Sequence, residues 1–488
     1  MKFQQNLKLL TESIENKNEL SQEMTLLKSR ERTYQDLEFN RLKNLVSYRD
    51  ILHEVKKKKR VWPLRKIISE FQEEVFKLIP CWMTSPESAS AIFPMTQCFD
   101  LVIFDEASQC FAERGIPAIY RAKQIVIAGD SKQLKPLDLY KAKWSDKETD
   151  HPDLEVDALL DLAQRYLPKY YLQGHYRSRH MELIEFSNLH FYDKKLQMLP
   201  DKSSLNSDKE SITYLQVKGL WDKNVNLIEA EKVVEITTQF RRSEPEKNIG
   251  IITFNSQQKE LIQELLENRM GDLAYRDVFI KNIENIQGDE RDIIIFSIAY
   301  APDKTGLLQM KFGSLNEVGG ENRLNVAITR AKEKIILVTS IHPDQLNTSK
   351  CRNKGPKLLQ SYLKFALDVS TKKWAPAEEK PLLFDQNWYL KNQLATCINR
   401  LKTDVVVAHN YPFADLLLKS NDRAIGIINT DDERYFDSKS SKESYVYNTK
   451  LLNQRNWPNI SFHSREFWRS PTDTQQKIKQ FISRIMAE

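Results

Sequence analysis

Phe99-Asp100-Leu101-Val102-Ile103-Phe104-Asp105-Glu106-Ala107-Ser108-Gln109 decides how the rest of this chain is read. The Val-, Ile- and Phe-rich run predicts a buried parallel strand, and it ends in two adjacent carboxylates. Open parallel sheets bind ligands beyond the carboxyl ends of their strands, so Asp105 and Glu106 fall where chemistry would sit. Burying such a pair is costly, and a nucleotide-bound Mg²⁺ would offset the cost. Standing alone, the segment would read as an acidic turn after a strand.

It does not stand alone. A second apolar strand, Gln124-Ile125-Val126-Ile127-Ala128-Gly129-Asp130, runs into Ser131-Lys132-Gln133-Leu134-Lys135-Pro136. Then follow Gly174-His175-Tyr176-Arg177-Ser178-Arg179, Glu284-Asn285-Ile286-Gln287-Gly288-Asp289-Glu290-Arg291-Asp292, and Arg323-Leu324-Asn325-Val326-Ala327-Ile328-Thr329-Arg330-Ala331. Any one string could arise by chance, but five in this order, each flanking an apolar strand, exceed what chance supplies. In these strings the chain resembles the superfamily-1 helicases. The branch is the one containing the nonsense-mediated-decay helicase and large bacterial helicase–nuclease proteins, and the resemblance runs from about Lys56 to about Leu363.

The resemblance implies an α/β fold with RecA-like, P-loop NTPase domains that clamp ATP while moving along nucleic acid. By matched motif, Asp105 would hold Mg²⁺ and Glu106 would act as general base on the attacking water. Gln133 would sense the γ-phosphate. Arg177 and Arg330 resemble the two arginine fingers, Glu290 the ribose contact, and Gln287 with Gly288 the loop that couples ATP to the strand. These assignments suit phosphoryl transfer, which needs a metal, a water-orienting carboxylate and fixed positive charge. Tyr176 reads as a packing aromatic, and His175 and His180 as structural. One departure is visible: Lys135 stands where the family has the first of two prolines, while Pro136 is kept.

No Gly-x-x-x-x-Gly-Lys-Ser/Thr loop, which would cradle the phosphates, occurs in the 488 residues, and the first glycine, Gly115, already lies beyond the Asp-Glu pair. The expectation is a chain that begins mid-domain, with an incomplete first RecA-like domain and little ATP hydrolysis on its own. A coding sequence interrupted by a frameshift or insertion, a split protein whose partner carries the P-loop, and a decayed remnant all fit, the first ahead of the other two.

The expected division is a helical, coiled-coil-like segment at 1–60, the C-terminal part of a first RecA-like domain at 61–165 and a second at 166–368. A linker at 369–381 and a restriction-endonuclease-like domain at 382–488 complete it. In the first segment, Phe3, Leu7, Leu10 and Ile14, then Leu20, Met24 and Leu27, recur at helical spacing without Gly or Pro. The run Lys56-Lys57-Lys58-Lys59-Arg60 places Lys58 and Arg60 as candidate phosphate contacts, against the bland reading of a solvated surface. Ser85, in Pro80-Cys81-Trp82-Met83-Thr84-Ser85-Pro86, matches a family segment that touches the nucleic-acid backbone. The polar stretch Thr371–Pro381, with Pro376 and Pro381, reads as the linker.

Beyond it, Phe384-Asp385, Asp415 and the segment holding Trp457, Ser464 and Trp468 resemble the small nuclease-like domain appended to bacterial relatives. A working nuclease of that type needs an Asp and, on the next strand, Glu-x-Lys or a similar pair to hold Mg²⁺. Asp415 is placed to ligate, but Ile428 occupies the Glu position and Thr430 the third, so the domain is expected to be degenerate. Asp431 and Asp432 are the conceivable substitutes.

The net charge of +6, from 73 basic and 67 acidic residues, neither demands nor excludes nucleic acid. Five scattered cysteines suggest neither a zinc site nor a disulfide framework, and no apolar run is long enough to span a bilayer, so a cytoplasmic protein is expected. The functional expectation is the C-terminal portion of an ATP- and Mg²⁺-dependent helicase or translocase. Its partners would be single-stranded nucleic acid, DNA ahead of RNA, and an upstream polypeptide bearing the P-loop. The alternative is a non-catalytic nucleic-acid-binding or scaffold remnant.

Overall fold

The computed structural model describes residues 2–38, 42, 45–136, 157–207, 210–274, 278–286, 288–374, 390–401, 403–408, 414–431, 440 and 442–487. The chain divides into two compact units, Met1–Ser131 with Lys135–Tyr170, and Lys132–Leu134 with Tyr171–Glu488.

The first unit opens with the helices Lys2–Glu38 and Leu45–Lys56, as the apolar spacing predicts. Ile14 is buried, whereas Leu20, Met24 and Leu27 along the same stripe are exposed. Strand β1 (Phe99–Phe104) pairs in parallel with β2 (Ala122–Ile127), Ile103 opposite Val126. The expectation of a buried strand is wrong for half of its residues. Successive side chains on a strand point to opposite faces. Val102, Phe104 and Ile127 pack with Ala107, Ala118, Leu159 and Leu160, whereas Leu101 is 46%, Ile103 63% and Val126 48% exposed on the other face. Among the described residues β1 pairs with β2 alone, so this is a sheet of two strands with one covered face.

In the second unit a short pair, β3 (Gly174–His175) and β4 (Gln197–Met198), precedes a five-stranded parallel sheet. Its strands are β5 (Ile212–Gln216), β6 (Ile249–Thr253), β7 (Val278–Asn282), β8 (Arg291–Ser297) and β9 (Ala331–Thr339), in spatial order 5-9-8-6-7. Helices cover both faces, so the middle of each central strand is apolar on both sides, as in Ile293–Phe296 of β8 and Ile335–Val338 of β9. Ile293 and Ile295 of β8 face the helices Leu227–Ser243 and Ser256–Ala274, while Ile294 and Phe296 face Glu182–Phe191, Gly320–Ile328 and Lys354–Ser370. The last helix runs into the first residues of the expected linker; 375–381, with both linker prolines, lie outside the described residues.

A second sheet follows in the same unit: β10 (Val405–Ala408), β11 (Leu416–Ser420), β12 (Arg423–Asn429) and β13 (Asn459–Ser461), in that order. The first three are antiparallel and β13 runs parallel to β12. Helices Leu390–Arg400 and Pro471–Ala487 close one face. The other face, with Leu417, Ile427 and Trp457, packs on Met181, Ile184, Met198 and Leu199 beside β3 and β4. Trp457 Nε1 donates to the carbonyl of Pro200 at 2.8 Å, and the Asn206 amide makes two hydrogen bonds of 2.7 Å with the backbone of Ala424.

The carboxyl ends of β8 and β9 are tied to the helix Leu227–Ser243 by a fully buried carboxylate. Glu229 accepts from Asn226 Nδ2 (3.1 Å), Ser297 Oγ (3.1 Å), Ala299 N (2.7 Å) and Ser340 Oγ (2.8 Å). Burial drives its pKa up to about 7 against the pull of these donors. Glu229→Ala would leave four buried donors without that acceptor. At ~1–3 kcal/mol for each unsatisfied group, we expect a loss of at least ~3 kcal/mol, read as a lower denaturation midpoint at unchanged m-value.

Candidate nucleotide and nucleic-acid site

Asp105 and Glu106 follow directly on β1, at its carboxyl end, and both are exposed. The pair is therefore not buried as expected, because the turn leads out of the sheet into water. Glu106 adopts a left-handed conformation (φ 52°, ψ 39°) and its N–H donates to Asp105 Oδ1 at 2.9 Å. Backbone bonds Ala107 N to Ala128 O (2.9 Å) and Ala128 N to Phe104 O (2.8 Å) fix the turn against the end of β2. A Cβ on Gly129 would meet the amide nitrogens of Ala107 and Ser108 at 3.1 Å, so glycine is what lets the two backbones approach. Two solvent-facing carboxylates on a fixed turn suit Mg²⁺, which keeps several waters and takes one or two protein carboxylates.

In the second unit three separated motif segments converge. Arg177 Nε lies 2.5 Å from Glu290 Oε2, across 113 residues of sequence, and Lys332 Nζ lies 2.8 Å from Glu290 Oε1. Lys332 first, then Arg177, hold the Glu290 carboxyl down at about 2 against a modest burial effect. Arg179 N donates to the carbonyl of Lys332 (2.8 Å), and Arg179 and Lys247 share the Glu333 carboxylate. His175 Nε2 accepts the Ser178 N–H at 3.2 Å and contacts Ser178 Oγ at 2.9 Å. Burial, with Arg177 and Arg455 nearby, holds that imidazole neutral, its pKa down at about 4.

Gln133 belongs to the same unit through residues 132–134. Asn322 Nδ2 donates to the Gln133 carbonyl and Asn325 Nδ2 to the Lys132 carbonyl, each at 2.9 Å, and Leu134 is buried in the core that the helix Gly320–Ile328 helps to form. Lys135, the departure from the family pattern, pairs with Asp161 at 2.9 Å in the first unit. Arg330 is buried, with Nε donating to the Val326 carbonyl at 2.8 Å. Gly288 sits at φ +87° with open space where a Cβ would be; Gln287 lies outside the described residues.

Residues 155–342 match one AAA-domain family and residues 2–139 a second. The chain is 31% identical over 445 residues to an uncharacterized ATP-dependent helicase of Mycoplasma pneumoniae, covering 83% of this chain and 39% of that protein. It is 37% identical over 310 residues to its counterpart in Mycoplasma genitalium, covering 59% and 27%. A regulator of nonsense transcripts 1 homolog from Drosophila melanogaster is 29% identical over 259 residues, covering 49% and 21%. The matches support a superfamily-1 helicase. The chain spans less than two fifths of the length of each of these relatives.

Several residues of this cluster were not evident from the strings alone. Lys332 and Asn322 lie beside the Arg323–Ala331 string and Asn325 inside it; the signal was a polar residue on an apolar helix or strand, which needs a partner. Tyr176 is 79% exposed and therefore not the packing aromatic expected, because β3 ends at His175 and its side chain points off the sheet. Ser85 caps the helix Pro86–Ile92, its Oγ accepting from Ser88 N at 3.2 Å. Lys58 and Arg60 are exposed, while Lys57 is paired with Glu54.

In the C-terminal sheet Asp415 is buried and accepts from Thr430 N (2.7 Å) and Thr430 Oγ1 (3.2 Å). Asp431 accepts from Ser464 N (2.8 Å) and Ser464 Oγ (2.6 Å) at the start of the helix Ser464–Arg469. Ile428 is fully buried. Asp385 and Asp432 lie outside the described residues, among which no group of three or more His, Cys, Asp or Glu is gathered to hold a metal and no helix is long and apolar enough to cross a membrane. Asp415→Ala should cost ~1–3 kcal/mol in unfolding free energy, since Thr430 loses a buried acceptor. Its midpoint and that of the parent should respond alike to millimolar Mg²⁺; a metal-dependent stabilisation confined to the parent would make Asp415 a ligand.

Proposed function

We propose that this chain is the C-terminal portion of an ATP-dependent helicase or translocase acting on single-stranded nucleic acid, in the first instance DNA, in the cytoplasm. The P-loop, a motif absent from these 488 residues, is supplied by further polypeptide. The observation that carries this reading is convergence. Arg177, Glu290 and the Asn325-containing helix, with the backbone of Gln133 hydrogen-bonded to it, meet in one unit although up to 193 residues separate the bonded pairs. The face of β1 and β2 on which Leu101, Ile103 and Val126 stand exposed among the described residues supports completion of the first RecA-like domain by additional polypeptide.

In this reading Asp105 takes the Mg²⁺ that neutralises phosphate charge. Glu106 accepts the proton of the attacking water. Gln133 reports the γ-phosphate to the helix Gly320–Ile328 through its own main chain. Arg177 is held by Glu290 until negative charge builds on the transferred phosphoryl group, and Arg330 supplies the second cation. Such a finger is worth roughly 10³–10⁵ in turnover. Glu290, pinned between Arg177 and Lys332, keeps the ribose-contact role with one face. Tyr176, exposed beside Arg177, is free to stack on the base. Gln287 and Gly288 form the loop that couples nucleotide to strand, with Lys58, Arg60 and Ser85 as backbone contacts. The C-terminal sheet is read as a restriction-endonuclease-like domain whose acids, Asp415 and Asp431, serve folding.

The test is ATP hydrolysis stimulated by single-stranded DNA, and in parallel by RNA, with the chain alone and after addition of the P-loop-bearing polypeptide. Turnover is expected only in the combined sample. There Glu106→Gln should abolish it while nucleotide binding persists, and Arg177→Ala should lower kcat by at least ~10³ with a small change in KM. No turnover in either sample would favour the binding or scaffold reading.

A further inference from the structure

The loop that carries Arg177 is gripped from two sides. On one side stands Glu290. On the other is a residue from the C-terminal sheet, which the nucleotide chemistry does not otherwise use. Arg455, at the end of the helix Asn448–Gln454, donates from its NH2 nitrogen to the main-chain carbonyl of Tyr176 at 2.9 Å. Its NH1 nitrogen lies 3.2 Å from Asp201 Oδ1, and both side chains are mostly buried. The backbone carbonyl of Arg455 also accepts from Lys202 N at 3.2 Å.

The placement is specific. Strands β3 and β4 run in parallel, so the chain leaves them side by side, toward Tyr176 from β3 and toward Asp201 from β4. The planar guanidinium spans the two exits, with one nitrogen on each. Arg455 is in turn fixed by the neighbouring Trp457, which is buried against Met181, Ile184 and Met198 and hydrogen-bonded to Pro200. Its proximity also helps keep His175 neutral, which preserves the imidazole as acceptor for Ser178 on the far side of Arg177.

We infer that Arg455 is a positioning residue for the nucleotide site: the C-terminal sheet sets the path of the Tyr176–Arg177 backbone and so sets where the Arg177 guanidinium can reach. The C-terminal domain is then a working part of the ATPase. This rests on the reading of Arg177 as a finger. A displacement of about 1 Å in a group that acts in the transition state is enough to cost on the order of 10²-fold in rate.

The experiment compares Arg455→Ala with Asn206→Ala in the full chain; Asn206 joins the same two sheets through Ala424 but does not touch the loop. Two readouts are taken: nucleic-acid-stimulated ATP hydrolysis with the P-loop polypeptide present, and amide hydrogen exchange over residues 174–179 in the chain alone. Arg455→Ala should lower kcat by about 10–100-fold with KM for ATP within about twofold, and should speed exchange at 175–177. Asn206→Ala should do neither. Equal losses in both variants, or an Arg455→Ala protein with unchanged kcat, would overturn the assignment. If the parent protein itself shows no turnover, the helicase reading fails instead. Exchange then still decides: unchanged protection of 175–177 in Arg455→Ala overturns the positioning role, and faster exchange upholds it.

Discussion

A parallel sheet is most stable with both faces covered, and the architecture of the second unit follows from how that demand is met. In the second unit five parallel strands are enclosed by helices on both faces, which is why β8 reads Ile293-Ile294-Ile295-Phe296 without a polar residue. The enclosure leaves the two edges of the sheet, at the strand ends, as the places where polar side chains can gather; the Glu229 cluster is at the carboxyl ends of β8 and β9. There Glu229 collects donors from two strands and a helix in the interior. At the opposite edge, before the amino ends of β8 and β9, Glu290 collects two cations where water still reaches. A buried carboxylate with four neutral donors holds structure, whereas a half-exposed one with two cations can exchange partners when a more negative ligand arrives.

The same contrast explains the C-terminal sheet. Its acids are satisfied by near neighbours: Asp415 by Thr430, and Asp431 by Ser464. A carboxylate that accepts short backbone and hydroxyl hydrogen bonds in a buried setting has given up much of the lone-pair capacity a hard cation would need. The isoleucine at 428 belongs to the core against the helices Leu390–Arg400 and Pro471–Ala487.

Much of this was legible in the sequence because motif order and apolar runs are local properties. The two opening helices and the strands before Asp105 and Asp130 follow from spacing and composition. What escaped was set by partners distant in the chain. Whether Leu101 and Ile103 are covered depends on what packs over them, which alternation within β1 cannot say. Tyr176 was misread for the same reason: an aromatic is a packing residue only if a core lies under it. Arg455 sits in no recognisable string, and its meeting with Tyr176 spans 279 residues. The partners and exposure of Glu106 and Glu290, two members of the motif strings, came only from the folded chain.

The six residues Phe99–Phe104 have a life outside the active fold as well. They combine high β-propensity with no proline or glycine, and among the described residues their strand has a single neighbour. Such a segment is a template for strand addition between molecules, the starting point of cross-β stacking. Asp100 interrupts it and pairs at 2.8 Å with Lys123 of the neighbouring β2; both charges lie in the open and act as gatekeepers against that outcome. The strand that leads into Asp105 is thus also a region where solubility of the polypeptide is decided, and neutralising Asp100 or Lys123 shifts the balance toward self-association.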